Sequence, residues 1–315
     1  MSSDYSDSDT AEYLSSTVPN QALWPETGSS RVEVDLAAIS DRGLVRERNE
    51  DHFLAVRFGR SMETLLTNLP PDHIPARAEE VGYGLVVADG MGGARGGAVA
   101  SQLAVTTLVS PVLHTPDWIL GNSPEDTRRR VERMADYWRR VQTAVRERGR
   151  SDPALGKMGT TMSAAASLGT RLIIGHIGDS RVYLFRHGQL YQLTRDHTLV
   201  QSLVDLGMLT PGQAATHPSR HTLMRSFSAA SETLEGDFLQ STLADGDQLL
   251  LCTDGLTDMM DTAAMGSVLG GADSAGEACQ LLLSAALNNG GKDNVTIVLA
   301  RYRIPSLTSL TSGTD

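Results

Sequence analysis

Apolar runs in this chain end in carboxylates. Leu85-Val86-Val87-Ala88 leads into Asp89, Leu172 to Ile177 into Gly178-Asp179, and Leu249 to Thr253 into Asp254. A short apolar run bounded by turn residues reads as a buried strand, so each acid falls at a strand tip on the rim of a sheet. Asn49-Glu50-Asp51 and Asp293-Asn294 complete a set of five acidic motifs spread over nearly the whole chain. Taken singly, Asp-Gly and Asp-Asn pairs are ordinary turns. Tips that converge would instead build one oxygen-lined site for hard divalent cations, which prefer carboxylate, carbonyl and water ligands. Such a set points to metal-assisted chemistry on phosphate.

The order of the elements constrains the fold. Strand signals fall at 32–39, 52–57, 84–88, 161–168, 171–177, 181–186, 189–193, 248–252 and 294–302, and Arg186-His187-Gly188-Gln189 reads as a hairpin turn. Helical signals fall from Gly96 to Leu108, from the cap Ser123-Pro124-Glu125-Asp126 to Gly149, near 197–208 and over 275–288. In the second of these, Val131, Met134, Trp138, Val141 and Val145 recur at helical spacing. Strands in clusters followed by helices in pairs are not the regular alternation of a parallel α/β fold. They predict an α+β architecture of antiparallel sheets with helices segregated onto their faces. Residues 57–83, with Pro70-Pro71, Pro75 and mixed charges, show no clear period and are expected to form a surface insertion or lid. Residues 1–30 and 304–315, rich in Ser, Thr and Asp, are expected to be disordered tails around one domain at 31–303.

Composition excludes several partners. The chain has 315 residues, a net charge of −11 and an aromatic share of 5%, which argue against a nucleic-acid or anionic-membrane partner and against base-stacking platforms. No apolar run reaches bilayer length and the acidic N-terminus lacks the basic start of a signal peptide, so a soluble cytoplasmic protein is expected. Cys252 and Cys279 both lie in apolar stretches and are expected to be buried small hydrophobes in a reduced compartment, not a disulfide.

Two local features refine the chemistry. Asp89 is followed by Gly90-Met91-Gly92-Gly93 and then Gly96-Gly97. Glycines let the backbone approach an ion or phosphate and free a carbonyl such as that of Gly90 to act as a ligand. The stretch lacks the Lys-Ser/Thr ending of a P-loop and the spacing of a dinucleotide fingerprint, so nucleotide binding is not expected from it. Arg46, five residues before Asp51, offers a guanidinium fork suited to bidentate phosphate recognition.

In order along the chain, Ser40-Asp41-Arg42-Gly43 with Arg46 and Asn49-Glu50-Asp51, Val87-Ala88-Asp89-Gly90-Met91-Gly92-Gly93, Gly159-Thr160-Thr161, His176-Ile177-Gly178-Asp179-Ser180-Arg181, Cys252-Thr253-Asp254-Gly255-Leu256-Thr257-Asp258 and Lys292-Asp293-Asn294-Val295-Thr296 resemble the motifs of the type-2C, metal-dependent Ser/Thr protein phosphatases, the PPM family, in its bacterial form. The resemblance covers roughly residues 34–302. It implies a four-layer α-β-β-α sandwich, two antiparallel sheets flanked by helix pairs, with two tightly bound Mn²⁺ or Mg²⁺ ions and a third, weaker one. Carried over by motif, Asp89 would bridge two metals with the Gly90 carbonyl on one of them, and Asp254 and Asp293 would hold the other. Glu50 and Asp51 would bind metal-coordinated waters, Asp179, Asp254 and Asp258 the third metal, and Arg46 the substrate phosphate. Residues 194–228 resemble the family's flap, in which His197 and His217 are expected to be loop residues and not ligands. Eukaryotic relatives place a His where this chain has Met91, so the resemblance leaves the general acid unassigned.

The activity so implied is hydrolysis of phosphoserine and phosphothreonine in proteins by a metal-activated water, with phosphorylated proteins and a cognate Ser/Thr kinase as partners of a monomeric enzyme. Two other readings stand beside it: a catalytically silent phosphoprotein-binding module, and a phosphatase of an anti-sigma antagonist. A silent module usually lacks a ligand Asp, and here Asp89, Asp254 and Asp293 are all present.

Overall fold

The computed structural model describes residues 32–70, 73–92, 96–114, 124–232 and 234–305. The expected tail at 1–30 lies outside this range, as does the tail at 304–315 apart from Ile304 and Pro305. Two five-stranded antiparallel sheets form the frame. One has the order β1-β13-β12-β8-β9, comprising Glu33–Asp41, Val295–Arg303, Gln248–Cys252, Arg181–Arg186 and Gln189–Gln192. The other has the order β11-β7-β6-β3-β2, comprising Asp237–Thr242, Arg171–Ile177, Met162–Leu168, Arg77–Ala88 and His52–Glu63. A small three-stranded sheet joins β4 (Gly90–Met91), β5 (Gly159–Thr160) and β10 (Phe227–Ser228).

The period of two along the central strands explains the four layers. Leu249 and Leu251 pack between the two sheets, with Leu85, Val87, Val298 and Ala300. Their neighbours Leu250 and Cys252 face outward onto α6 (Thr262–Gly271) and α7 (Ala275–Asn288), through Met265, Leu269, Ala278 and Leu282. Val86 and Ala88 face the other way, onto α1 (Gly96–His114) and α2 (Pro124–Ser151), through Ala100, Ala104, Trp138 and Val141. Both faces of these strands are apolar because both are covered, which is why they read as continuous runs. Cys252 and Cys279 are buried, unbridged members of one core layer, as expected, and burial pushes both thiols up to about 12.

Segment 57–83 is not a lid. Residues 57–63 continue β2 and 77–83 begin β3, paired in register from His52↔Ala88 to Glu63↔Arg77. The ladder starts at the acidic motifs and carries its far pair, Glu63 and Arg77, eleven residues away, roughly 35 Å at about 3.3 Å per residue. The hairpin therefore points away from the acids. The arms hide their period because their charged residues line a strand pair at the sheet edge. The helical signal over 197–208 resolves into α3 (Leu199–Asp205), followed by α4 (Pro211–Ala215), and α5 (Asp254–Thr257) is a single turn. Besides these short helices and the two-residue strands of the small sheet, the edge strand β11 and the glycine-rich α6 have no counterpart in the sequence reading.

Register also explains where the acids meet. Asp41 pairs with Val295, Cys252 with Ile297 and with Arg181, His52 with Ala88, and Met162 with Ile177. Those pairings place the ends of β1, β3, β7 and β12, and the start of β13, at one end of the sandwich.

Candidate metal centre and phosphate site

A cleft of about 1140 Å³ opens at that end, and its lining brings together Arg46, Glu50, Asp89, Gly90, Asp179, Asp254, Asp258 and Asp293. All but one of the residues singled out in the sequence thus share one cavity. The exception, Asp51, is buried behind it. Its Oδ2 accepts hydrogen bonds from Thr253 Oγ1 (2.9 Å) and Thr296 Oγ1 (2.7 Å), while Oδ1 has no protein partner.

Each acid is held by its surroundings. The Asp89 N–H donates to Thr161 Oγ1 (3.1 Å), and its carbonyl accepts from Thr161 N–H (2.9 Å) and Thr160 Oγ1 (2.8 Å). The loop from Arg42 to Glu50 is fastened by Asn294, whose Nδ2 donates to the carbonyls of Arg42 (2.9 Å) and Arg48 (2.8 Å) and whose Oδ1 accepts from Glu50 N–H (2.8 Å). This explains the Asn of the Asp293-Asn294 motif as a structural fastener. Gly90 and Gly97 are required by close approach. A Cβ on Gly90 would run into the Gly97 and Glu50 carbonyls, and one on Gly97 would lie 2.5 Å from Glu50 Oε2.

The electrostatics are those of acids crowded without enough compensation. Burial first, then Asp51, Asp254, Asp179 and Asp293, push the Asp89 carboxyl well above the usual carboxylate range. Burial raises Asp51 to about 7 against its two threonine donors. Burial and then Asp254 and Asp196 raise Asp179 to about 8. Asp254 Oδ1 is buried with no protein partner. Orphaned carboxylate oxygens at the sheet tips fit divalent cations, for which a hard oxygen donor set is the preferred environment.

His221 went unnoticed in the sequence. Its Nδ1 lies 3.6 Å from Asp254 Oδ2 and its Nε2 3.3 Å from Asp258 Oδ2. Ligand atoms of Asp179, His221 and Asp254 come within 4.8 Å of one another, so this trio could hold a cation, while Asp258 lies against His221 and Arg220. No motif marks His221. Its place comes from the fold-back of the 194–228 segment, where Thr198 bridges to Leu223 and Met224 N–H donates to the His197 carbonyl (2.8 Å). His197 itself is internal, with Nδ1 accepting from Gly178 N–H (3.2 Å) and Nε2 facing Asp237 (3.1 Å). His217 Nδ1 accepts from Ser219 N–H (3.1 Å). Neither lies among the cleft acids. Met91 lines the cleft and packs beside Gly159, and its thioether has no proton to give.

An α-β-β-α sandwich with converging acids at one end, an arginine at their mouth and a folded-back segment beside them defines a metal-binding phosphate-cleaving class of protein. The model of the protein phosphatase 2C family matches residues 71–286, well over half of the chain. The chain belongs to that family. It is 37% identical over 264 residues to the serine/threonine protein phosphatase PstP of Mycobacterium tuberculosis, covering 84% of this chain and 44% of that protein. It therefore spans less than half the length of that relative. It is 31% identical to protein phosphatase PhpP of Streptococcus pneumoniae, covering 84% of this chain and 96% of PhpP. Among solved structures, the PstP catalytic domain in complex with two manganese ions superposes with a TM-score of 0.67 at 33% identity, covering 86% of this chain and 99% of that one.

Proposed function

We propose that this chain is a metal-dependent phosphatase that removes phosphate from phosphoserine and phosphothreonine in proteins. The observation that carries the reading is the convergence of Asp89, Asp254 and Asp293, with orphaned carboxylate oxygens behind them and Arg46 at the mouth. Asp89 and the Gly90 carbonyl would hold one Mn²⁺ or Mg²⁺ and share Asp89 with a second held by Asp254 and Asp293. Asp179 with Asp254, joined by His221 or Asp258, would hold a third. The chemistry such ions supply when bound is activation of water and neutralisation of phosphoryl charge.

The chain's own residues set the rest. Arg46, held through Asp293, presents its guanidinium to the outer oxygens of the phosphate. Glu50 and Asp51 accept hydrogen bonds from water at the back of the site, Asp51 being oriented by Thr253 and Thr296. With no nucleophilic side chain required, no phosphoenzyme forms. Residues 31–303 act as one catalytic domain, with 194–228 as its flap. Its partners are the phosphorylated proteins of a cognate Ser/Thr kinase, and the cytoplasm as its location is supported by two buried free thiols. Among the described residues no helix is long and apolar enough to cross a membrane.

Phosphate release from a phosphothreonine peptide in Mn²⁺, with and without EDTA and beside Asp254→Asn, tests the reading. Activity that disappears in both cases supports it. Release that persists in EDTA or in the variant refutes it.

A further inference from the structure

Both main-chain polar groups of Gly178, which joins the end of β7 to Asp179, are bonded to a single residue, His197. The Gly178 N–H donates to His197 Nδ1 (3.2 Å), and the Gly178 carbonyl accepts from the His197 N–H (2.7 Å). Gly178 stands at φ +108°, where a Cβ would run into Thr161, so the turn requires glycine. Glycine also has the widest backbone freedom of any residue, and the two bonds from His197 restrain it. His197 is itself held from three sides. An Nδ1 that accepts leaves the proton on Nε2, which donates to Asp237 Oδ2 (3.1 Å). Asp237 is the first residue of β11 and pairs in register with His176. The His176 ring lies against His197, with centroids 4.7 Å apart, and its Nε2 donates to the Arg195 carbonyl (3.0 Å). On the other side, the His197 carbonyl accepts from the N–H of Met224, three residues after His221 (2.8 Å).

His197 thus joins the turn that carries Asp179 to the stretch that carries His221. It is buried and does not line the cleft. Asp179, His221 and Asp254 are the trio whose ligand atoms come within 4.8 Å of one another. We propose that His197 is a positioning residue for the third cation: its grip on Gly178 fixes the direction of Asp179, and its bond to Met224 sets His221 against the same site. The inference rests on the metal-dependent reading and deepens it. The two tightly held ions depend on other supports, Thr160 and Thr161 behind Asp89 and Asn294 beside Asp293. Groups that orient a metal ligand from behind change affinity by about 10–100-fold.

The test titrates the full chain with Mn²⁺, reading free Mn²⁺ by electron paramagnetic resonance, with urea unfolding to confirm that each variant is folded. The wild-type chain is expected to bind two ions tightly and a third weakly. His197→Gln still reaches Asp237 but offers no acceptor to Gly178. It is expected to weaken the third ion about tenfold or more and to leave the two tight ones unchanged. His197→Asn gives up Asp237 but places its carbonyl oxygen where Nδ1 stood, and is expected to bind the third ion nearly as the wild type does. A merely structural histidine would not separate the two variants. Each is read against the wild type, so one that fails to fold leaves the other decisive. Third-ion binding unchanged in folded His197→Gln, lost in folded His197→Asn, or lost together with the tight ions overturns the proposal. A wild-type chain that binds two ions and no third removes the inference and leaves the phosphatase reading, whereas one that binds no Mn²⁺ removes both.

Discussion

Arg46 Nη2 donates a 2.6 Å hydrogen bond to Asp293 Oδ2, joining two motifs 247 residues apart. The Arg46 side chain is 57% exposed and lines the cleft, which leaves its remaining donors available to a phosphate. Charge-assisted hydrogen bonds contribute roughly 1.5–3 kcal/mol. Arg46→Ala should therefore raise KM for a phosphopeptide by about tenfold or more with a smaller effect on kcat. Arg46→Lys should recover only part, having lost the fork. Steady-state kinetics on one peptide decides this, and an unchanged KM would remove Arg46 from the phosphate site.

Gly97 sets helix propensity against geometry. It stands in the first turn of α1, where alanine is intrinsically better by about 1 kcal/mol. A Cβ there would press on the Glu50 carboxylate and on Gly90. Gly97→Ala should accordingly destabilise the protein by about 1–3 kcal/mol, the usual cost of overpacking, and should increase the Mn²⁺ concentration needed for half-maximal activity. Urea unfolding and a Mn²⁺ activation curve measure the two effects. A stabilised variant would mean that propensity prevails and the close approach is soft.

The crowded acids predict an inverted pH dependence for metal-free protein. Asp51 at about 7 and Asp179 at about 8 bind protons in the folded state that unfolded carboxylates, near 3.9, have released. Their stabilising contribution is in place at low pH and lost as pH rises through the folded values. His176, lowered by burial to about 4, and His197, lowered also by burial, act oppositely, but only below about 6.5. Between pH 7 and 8.5 the acids dominate. EDTA-treated protein should lose several degrees of Tm across that interval, and saturating Mn²⁺ should remove most of the loss. A flat metal-free profile would show that the carboxylates are not strained.

Asp51 separates a structural from a catalytic role for the hydroxyls behind the site. Thr296 is fully buried and donates to Asp51 Oδ2, as does Thr253. Thr296→Val preserves shape and leaves a buried carboxylate short of a donor, which costs about 1–3 kcal/mol. Differential scanning calorimetry at saturating Mn²⁺ should show the loss, and an unaltered Tm would mean that water replaces the hydroxyl.

The sandwich and most of its site were readable because burial on both faces makes β3, β7 and β12 continuous apolar runs, and an acid that ends such a run stands out. What escaped notice lacked that contrast. In β11, Phe238 and Leu239 sit among polar residues of a half-exposed edge strand, which leaves little period to detect. Helix α6 contains Gly266, Gly270 and Gly271 and buries only Met265 and Leu269. The β2–β3 hairpin looked irregular because Arg57, Arg60, Glu63, Glu79 and Glu80 lie in its exposed or half-exposed outer half. His221 could not be found by motif, since its nearness to Asp254 and Asp258 arises from the fold-back held by the Thr198–Leu223 bridge and the Met224–His197 hydrogen bond.

The central claim, that acids at the sheet tips form one metal centre, is tested most directly by anomalous scattering from crystals of this chain grown in Mn²⁺. Two strong peaks bounded by Asp89, the Gly90 carbonyl, Asp254 and Asp293, with one lost in Asp254→Asn, are the predicted result. Peaks away from these residues, or none at saturating Mn²⁺, would contradict it.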